Sequence, residues 1–175
     1  MRLEANAERI ERFMEALGAR VDAPGRVYFT GGATAVLLGW RTSTLDLDLK
    51  LVPDNDAVLR AIPKLKEELS INLELAAPDQ FIPPLPGWQE RSRFIRQVRR
   101  LSFFHYDFYA QALAKLERCH VKDRLDVEQM LRLGLVEPEK LKRFFELIEP
   151  DLYRYPAIDP TAFRREVERA TVFEH

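Results

Sequence analysis

Cysteine occurs once in 175 residues, at Cys119. One cysteine excludes an internal disulfide and any cysteine-rich metal knuckle. Histidine is nearly as scarce, with three, and no two stand at a His-x-x-x-His spacing, which argues against zinc. No run approaches the length of uninterrupted apolar residues that a membrane-spanning helix needs. The opening stretch MRLEANAERIERF is charged and lacks the apolar heart of a signal peptide, which predicts a cytoplasmic protein with no membrane association. A strong charge of one sign is missing too. The formal net charge is −1, so any surface basic enough for nucleic acid must be local.

What is present is an ordinary folded composition, 46% hydrophobic and 31% charged, on a chain long enough for one domain with a real core. Ile10, Phe13, Met14 and Leu17 follow helical spacing, with Gly18 as a stop. Val27-Tyr28-Phe29 reads as a buried strand that ends at Gly31-Gly32. Ala33 to Leu38 favours helix and closes at Gly39. Thr44 to Leu51 alternates strictly, leucines to one face and Asp46, Asp48 and Lys50 to the other, which is a strand with one polar face. Asp54 or Asp56 caps a following helix that reaches about Leu69, kinked or split by Pro63.

Ile71 to Leu75 alternates again, with Asn72 and Glu74 on one side. Residues 77–90 carry four prolines and a glycine and read as a long irregular loop. Phe94-Ile95 and Leu101 to Tyr106 read as two strands joined by a polar turn. Helices follow over Phe108 to Arg118, Asp123 to Leu133 and Pro138 to Ile148, and a short one opens at Asp159-Pro160. The fold class is therefore α/β, or α+β: a core over 1–107 and a helical C-terminal region over 108–175 packed on it as one compact domain.

The chemistry concentrates between Val27 and Leu51. A strand delivers two glycines to the start of a helix, where a phosphate can approach free backbone N–H groups. The chain returns as a strand whose Asp46 and Asp48 share a face, so both carboxylates can converge on a hard divalent cation. Mg²⁺ favours such sparse carboxylate sites, completed by waters and substrate phosphates. The other readings of these residues are a tight strand–helix turn and a solvated strand face. The flanking leucines argue against the second, since they imply a buried strand on which unpartnered carboxylates are costly.

Gly-Gly followed about a dozen residues later by Asp-hydrophobic-Asp-hydrophobic resembles the signature of the DNA polymerase β-like nucleotidyltransferase superfamily. The chain looks closest to its minimal AbiEii-like bacterial and archaeal members, found in toxin–antitoxin operons. Gln111 to Lys115 and the stretch RCHVKDRLD at Arg118 to Asp126 resemble later motifs of that subfamily. The resemblance implies a mixed sheet flanked by helices and transfer of a nucleoside monophosphate from an NTP to an RNA or protein hydroxyl. It implies that Gly31, Gly32 and Thr34 bind the nucleotide and that Asp46 and Asp48 hold Mg²⁺ or Mn²⁺. Lys115 would contact nucleotide phosphate, and Asp123 or Asp126 would orient it or assist the acceptor. Glu74 and Asp107 are both candidates for a third carboxylate. A cognate antitoxin is the implied protein partner.

Each of the later residues also has a plainer reading. Glu74 can be a polar strand residue, Asp107 and Asp123 helix caps, and Lys115 a snorkelling side chain. Arg91, Arg93, Arg96, Arg99 and Arg100 form the one local basic cluster, suited to clamping a triphosphate or an RNA backbone, or simply paired with nearby acids. The competing functional class is a non-catalytic module of the same fold that binds a nucleotide or a partner. A nuclease using the same carboxylates is a third.

Overall fold

Alternating leucines and aromatics set the central sheet. The computed structural model describes residues 2–172. After helix α1 (Ala7–Arg20) come strand β1 (Gly25–Thr30), helix α2 (Gly32–Leu38), β2 (Asp46–Val52), α3 (Asp56–Glu68) and β3 (Asn72–Leu75). The short helix α4 (Trp88–Arg91) precedes the hairpin β4 (Arg93–Val98) and β5 (Leu101–His105). The strand order is β3-β2-β1-β5-β4. β1 runs antiparallel to β2 and parallel to β5, β2 is parallel to β3, and β4 is antiparallel to β5. A mixed α/β fold with a helical C-terminal part is what the sequence pattern predicts.

One face of this sheet is apolar and carries the helices. Val27 and Phe29 of β1, Leu47, Leu49 and Leu51 of β2, and Leu101 and Phe103 of β5 meet Ile10, Phe13, Met14 and Leu17 of α1. Ala33 and Val36 of α2 and Val58, Ile62 and Leu65 of α3 close the same core. Each fully buried large apolar side chain contributes roughly 1.5–3 kcal/mol. Phe13 is wholly enclosed and meets Phe29 edge-on, their ring centroids 6.1 Å apart.

Several local expectations are corrected. Gly18 does not stop α1. It lies inside the helix because a Cβ there would stand 2.3 Å from Val98 Cγ1, so it marks close packing of α1 on β4. Asn55 caps α3 in place of Asp54 or Asp56, its side chain accepting from the N–H groups of Ala57 and Val58. Pro63 neither ends nor splits α3. It stands on the exposed side, where the carbonyl it leaves without a helical donor can face water. β2 begins at Asp46 and β3 at Asn72, each a little later than the alternation suggests. Residues 77–90 are not uniformly irregular, since they hold a 3-10 turn at Pro78–Gln80 and the start of α4.

The remaining helices are α5 (Phe108–Arg118), α6 (Val121–Arg132), α7 (Pro138–Ile148) and α8 (Pro160–Thr171), with a 3-10 turn at Glu149–Arg154. α6 starts two residues before Asp123. Asp107 caps α5 by accepting from the Tyr109 N–H, and Asp159 caps α8 the same way. Phe145 of α7 packs edge-on against Phe163 of α8, centroids 4.8 Å apart. The chain divides into two compact units. The first comprises the described residues through Ala77 together with Ser92–Tyr106, and the second Pro78–Arg91 together with the described residues from Asp107 onward.

Candidate active site

The sheet face opposite α1–α3 carries the acids. β2 presents Asp46, Asp48 and Lys50 there, all half-buried, while its leucines face the core. Asp46 and Asp48 are two residues apart on one strand, so their stems stand about 7 Å apart. Antiparallel pairing sets Asp48 opposite Thr30, the last residue of β1, and so beside the corner where β1 turns into α2.

That corner is Gly31-Gly32. Gly31 has φ +64°, and a Cβ on it would lie 3.1 Å from Asp48 Oδ2. A side chain at this position would crowd the carboxylate, and the positive φ favours glycine as well. Gly32 serves a different contact. A Cβ there would meet Thr44 Oγ1 at 2.0 Å, so its bareness lets α2 close against the chain leading into β2. That chain is itself tied down by paired backbone bonds between Ala5 and Thr44.

Thr34 is fully buried and points away from the corner into the unit. Its hydroxyl is 3.0 Å from His105 Nδ1 and 3.5 Å from the Phe29 carbonyl. The Phe29 carbonyl already accepts from the Tyr106 N–H at 2.8 Å. Burial lowers the His105 pKa to about 4, with the nearby positive Arg93 adding to the effect, so the imidazole is neutral at pH 7. This pair links the end of β5 to the first turn of α2. No sequence spacing connects residues 34 and 105, so only the folded chain reveals it.

Glu74 lies on β3 directly beside Asp48 in the parallel ladder, and Asn72 lies beside Asp46. The Asn72 side-chain amide donates to the Asp46 carboxylate. The sequence pattern placed Asn72 and Glu74 on a common side but gave Asn72 no role. Glu74 is exposed. Among the described residues, no three metal-ligating side chains converge on one point. What the geometry offers a cation is the pair Asp46 and Asp48, with Glu74 next to it.

The second group of sequence candidates sits in the other unit. Lys115 on α5 places Nζ 2.7 Å from Asp126 Oδ2 and 3.7 Å from Asp123 Oδ1, both on α6. All three are nearly enclosed, Lys115 being 6% exposed and each aspartate 1%. Arg118 grips Asp123 through Nε at 2.9 Å and Nη2 at 2.6 Å, and the His120 backbone N–H donates to the same carboxylate. Burial pushes the Asp123 pKa up. Arg118, Lys115 and the His120 N–H together outweigh it and hold the carboxyl below its ordinary value. The structure thus joins Lys115, Asp123 and Asp126 into one charge cluster across the α5–α6 turn.

Asp107, the other third-carboxylate candidate, is buried in the same unit. It accepts from Arg91 Nη2 at 2.8 Å besides capping α5. The Arg91 guanidinium also lies 4.2 Å over the Phe144 ring. The arginines of 91–100 have separate partners, and Arg93, Arg99 and Arg100 stay exposed. Arg96 pairs with Glu15, Arg99 donates to the Ala19 carbonyl and Arg100 to that of Asp22. The β4–β5 hairpin lies along α1 and the segment after it, and these groups meet it there.

A family of nucleotidyltransferases of unknown function (DUF6036) has a model that matches residues 5–162. The match spans the glycine corner, both strands of acids and the α5–α6 cluster. No curated protein and no solved structure matches the chain. No helix among the described residues is long and apolar enough to cross a membrane.

Proposed function

Since the chain belongs to this family of nucleotidyltransferases of unknown function, we propose that it moves a nucleoside monophosphate from an NTP to a hydroxyl acceptor on RNA or protein. The observation that carries the reading is the placement of Asp46 and Asp48 on one face of β2, with the Asp48 carboxylate against the Gly31 corner. Two carboxylates beside a bare backbone suit a Mg²⁺ ion arriving with a triphosphate, because Mg²⁺ is held by one or two carboxylates, waters and substrate phosphates. Mn²⁺ fits the same oxygens. When bound, the ion supplies neutralisation of charge on the phosphoryl oxygens.

The protein groups then divide the work. Asp46 and Asp48 hold the metal-bearing triphosphate, and Gly31 lets it approach without a side chain in the way. Glu74, exposed beside Asp48, takes the proton of the acceptor hydroxyl as its oxygen bonds to the α-phosphorus. The bond from that phosphorus to the bridging oxygen breaks, and pyrophosphate leaves with the electron pair. Positioning and electrostatics supply most of the acceleration. In this reading Lys115, Asp123 and Asp126 staple α5 to α6. The likeness to AbiEii-type proteins extends the proposal to a toxin held in check by a cognate antitoxin.

The test is incubation with Mg²⁺, total RNA and each α-labelled NTP. Label should pass to an acceptor, and Asp46→Asn or Asp48→Asn should abolish transfer while leaving the fold intact. Label transfer that persists in both variants sinks the assignment. A second reading, a nucleotide-binding module without catalysis, is favoured by the lack of a third converging ligand among the described residues. Its signature is nucleotide binding by the parent and by both variants, with no transfer by any of them.

A further inference from the structure

We propose that Asn72 is a positioning residue that leaves Asp46 one free oxygen and thereby tunes the site toward small six-coordinate cations and against calcium. The inference rests on the two-carboxylate reading above. Asp46 and Asn72 are direct neighbours in the parallel β2–β3 ladder. The Asn72 Nδ2 donates to Asp46 Oδ1 and stands 3.5 Å from Glu74 Oε1.

The direction of that amide is fixed from its other end. Arg2 donates from Nη1 to Asn72 Oδ1 at 2.5 Å. A guanidinium has no acceptor, so the amide oxygen must face Arg2 and the NH₂ must face the acids. A three-member relay therefore runs from Arg2 through Asn72 to Asp46. Among the described residues, Asp46 Oδ2 has no side-chain partner and remains available.

The consequence for a cation follows from coordination chemistry. A carboxylate with one oxygen engaged by an amide donor presents the other to a cation, and the amide crowds the side from which an ion would chelate both. Mg²⁺ and Mn²⁺ take single oxygens at octahedral corners and keep waters. Ca²⁺ takes more oxygens and often both from one carboxylate. Freeing Asp46 Oδ1 would open that bidentate mode, and it would also loosen the orientation on which a six-coordinate ion depends.

The experiment uses the full chain with metal alone. Mn²⁺ binding is followed by the electron paramagnetic resonance of the free ion, with Mg²⁺ and Ca²⁺ as competitors. Asn72→Ala should weaken Mg²⁺ about tenfold, the order seen when a ligand's hydrogen-bond partner is removed, while Ca²⁺ changes little. Arg2→Ala, at an exposed position that does not threaten folding, should shift the Ca²⁺-to-Mg²⁺ ratio the same way by a smaller factor. The double variant should match Asn72→Ala alone, because Arg2 acts only through the amide. An unchanged ratio in Asn72→Ala overturns the inference, and so do independent, multiplying effects of the two substitutions. Parent and Asp46→Asn binding Mn²⁺ equally poorly, with metal alone and again with a non-hydrolysable NTP analogue added, would remove the two-carboxylate reading itself. That outcome is distinct, because the parent then has no site to tune.

Discussion

Lys115 separates two accounts of the helical unit, and replacing it with methionine decides between them. In the structure its ammonium is enclosed, 2.7 Å from Asp126 and 3.7 Å from Asp123. Removing one member of a buried ion pair costs about 3–5 kcal/mol, because the surviving charge stays in a poor solvent. Arg118 still grips Asp123 in the variant, so the loss falls mainly on Asp126 and the lower end, about 3 kcal/mol, applies. At roughly 2–4 °C per kcal/mol for a chain of this size, the melting point should drop by about 6–12 °C. With two units in the chain, a global melt is not a single free energy, so the sharper readout is amide hydrogen exchange of α5 and α6. Adding Asp126→Asn to Lys115→Met removes the negative charge that lost its lysine and should recover at least half of the lost protection. A loss below about 1 kcal/mol, or a double variant no better than the single, would refute the staple. If nucleotidyl transfer disappeared at the same time, Lys115 would return to the phosphate-contacting role that the family resemblance implies.

Two further outcomes follow from contacts in the sheet unit. His105 is neutral in the folded state down to about pH 4 but takes a proton near 6.5 when unfolded, so the unfolded chain binds more protons between those values. Stability should therefore rise with pH through that window, by roughly 3 kcal/mol, and fall on acidification. His105→Gln should flatten the slope in urea titrations at pH 4.5 and 6.5, and an equally steep slope would count against the buried neutral imidazole. Gly18→Ala should destabilise α1 by about 1–3 kcal/mol despite the better helix propensity of alanine, because the new methyl would strike Val98. A raised urea midpoint in that variant would contradict the close packing.

The period-two run from Asp46 to Leu51 was legible in the sequence because strand alternation is local, and the helical spacing of Ile10, Phe13, Met14 and Leu17 was legible for the same reason. The glycine corner was legible as a turn, but its two glycines were not separable. Only the approach of Asp48 to one and Thr44 to the other assigns them different contacts. The adjacency of Asp48 and Glu74 depends on the register between strands separated by α3, which no local pattern encodes. The partners of the arginines from 91 to 100 were not legible, because sequence counts charges and not the groups that meet them. Glu15, Asp107 and the carbonyls that meet them lie far along the chain or on another element. Asn55 outcompeted its aspartate neighbours as a cap by standing one residue before the first helical turn, a difference within the usual uncertainty of a boundary.

The interleaving of the two units has a practical corollary for anyone who would dissect this protein. The polypeptide passes from one unit to the other three times, at 77/78, 91/92 and 106/107. No single cut therefore yields either half entire. A truncation after residue 107 would strand the proline-rich segment without the helices it packs with, and would also leave Arg91 without Phe144. Grafting the helical half onto another chain would have to carry two separate stretches of gene.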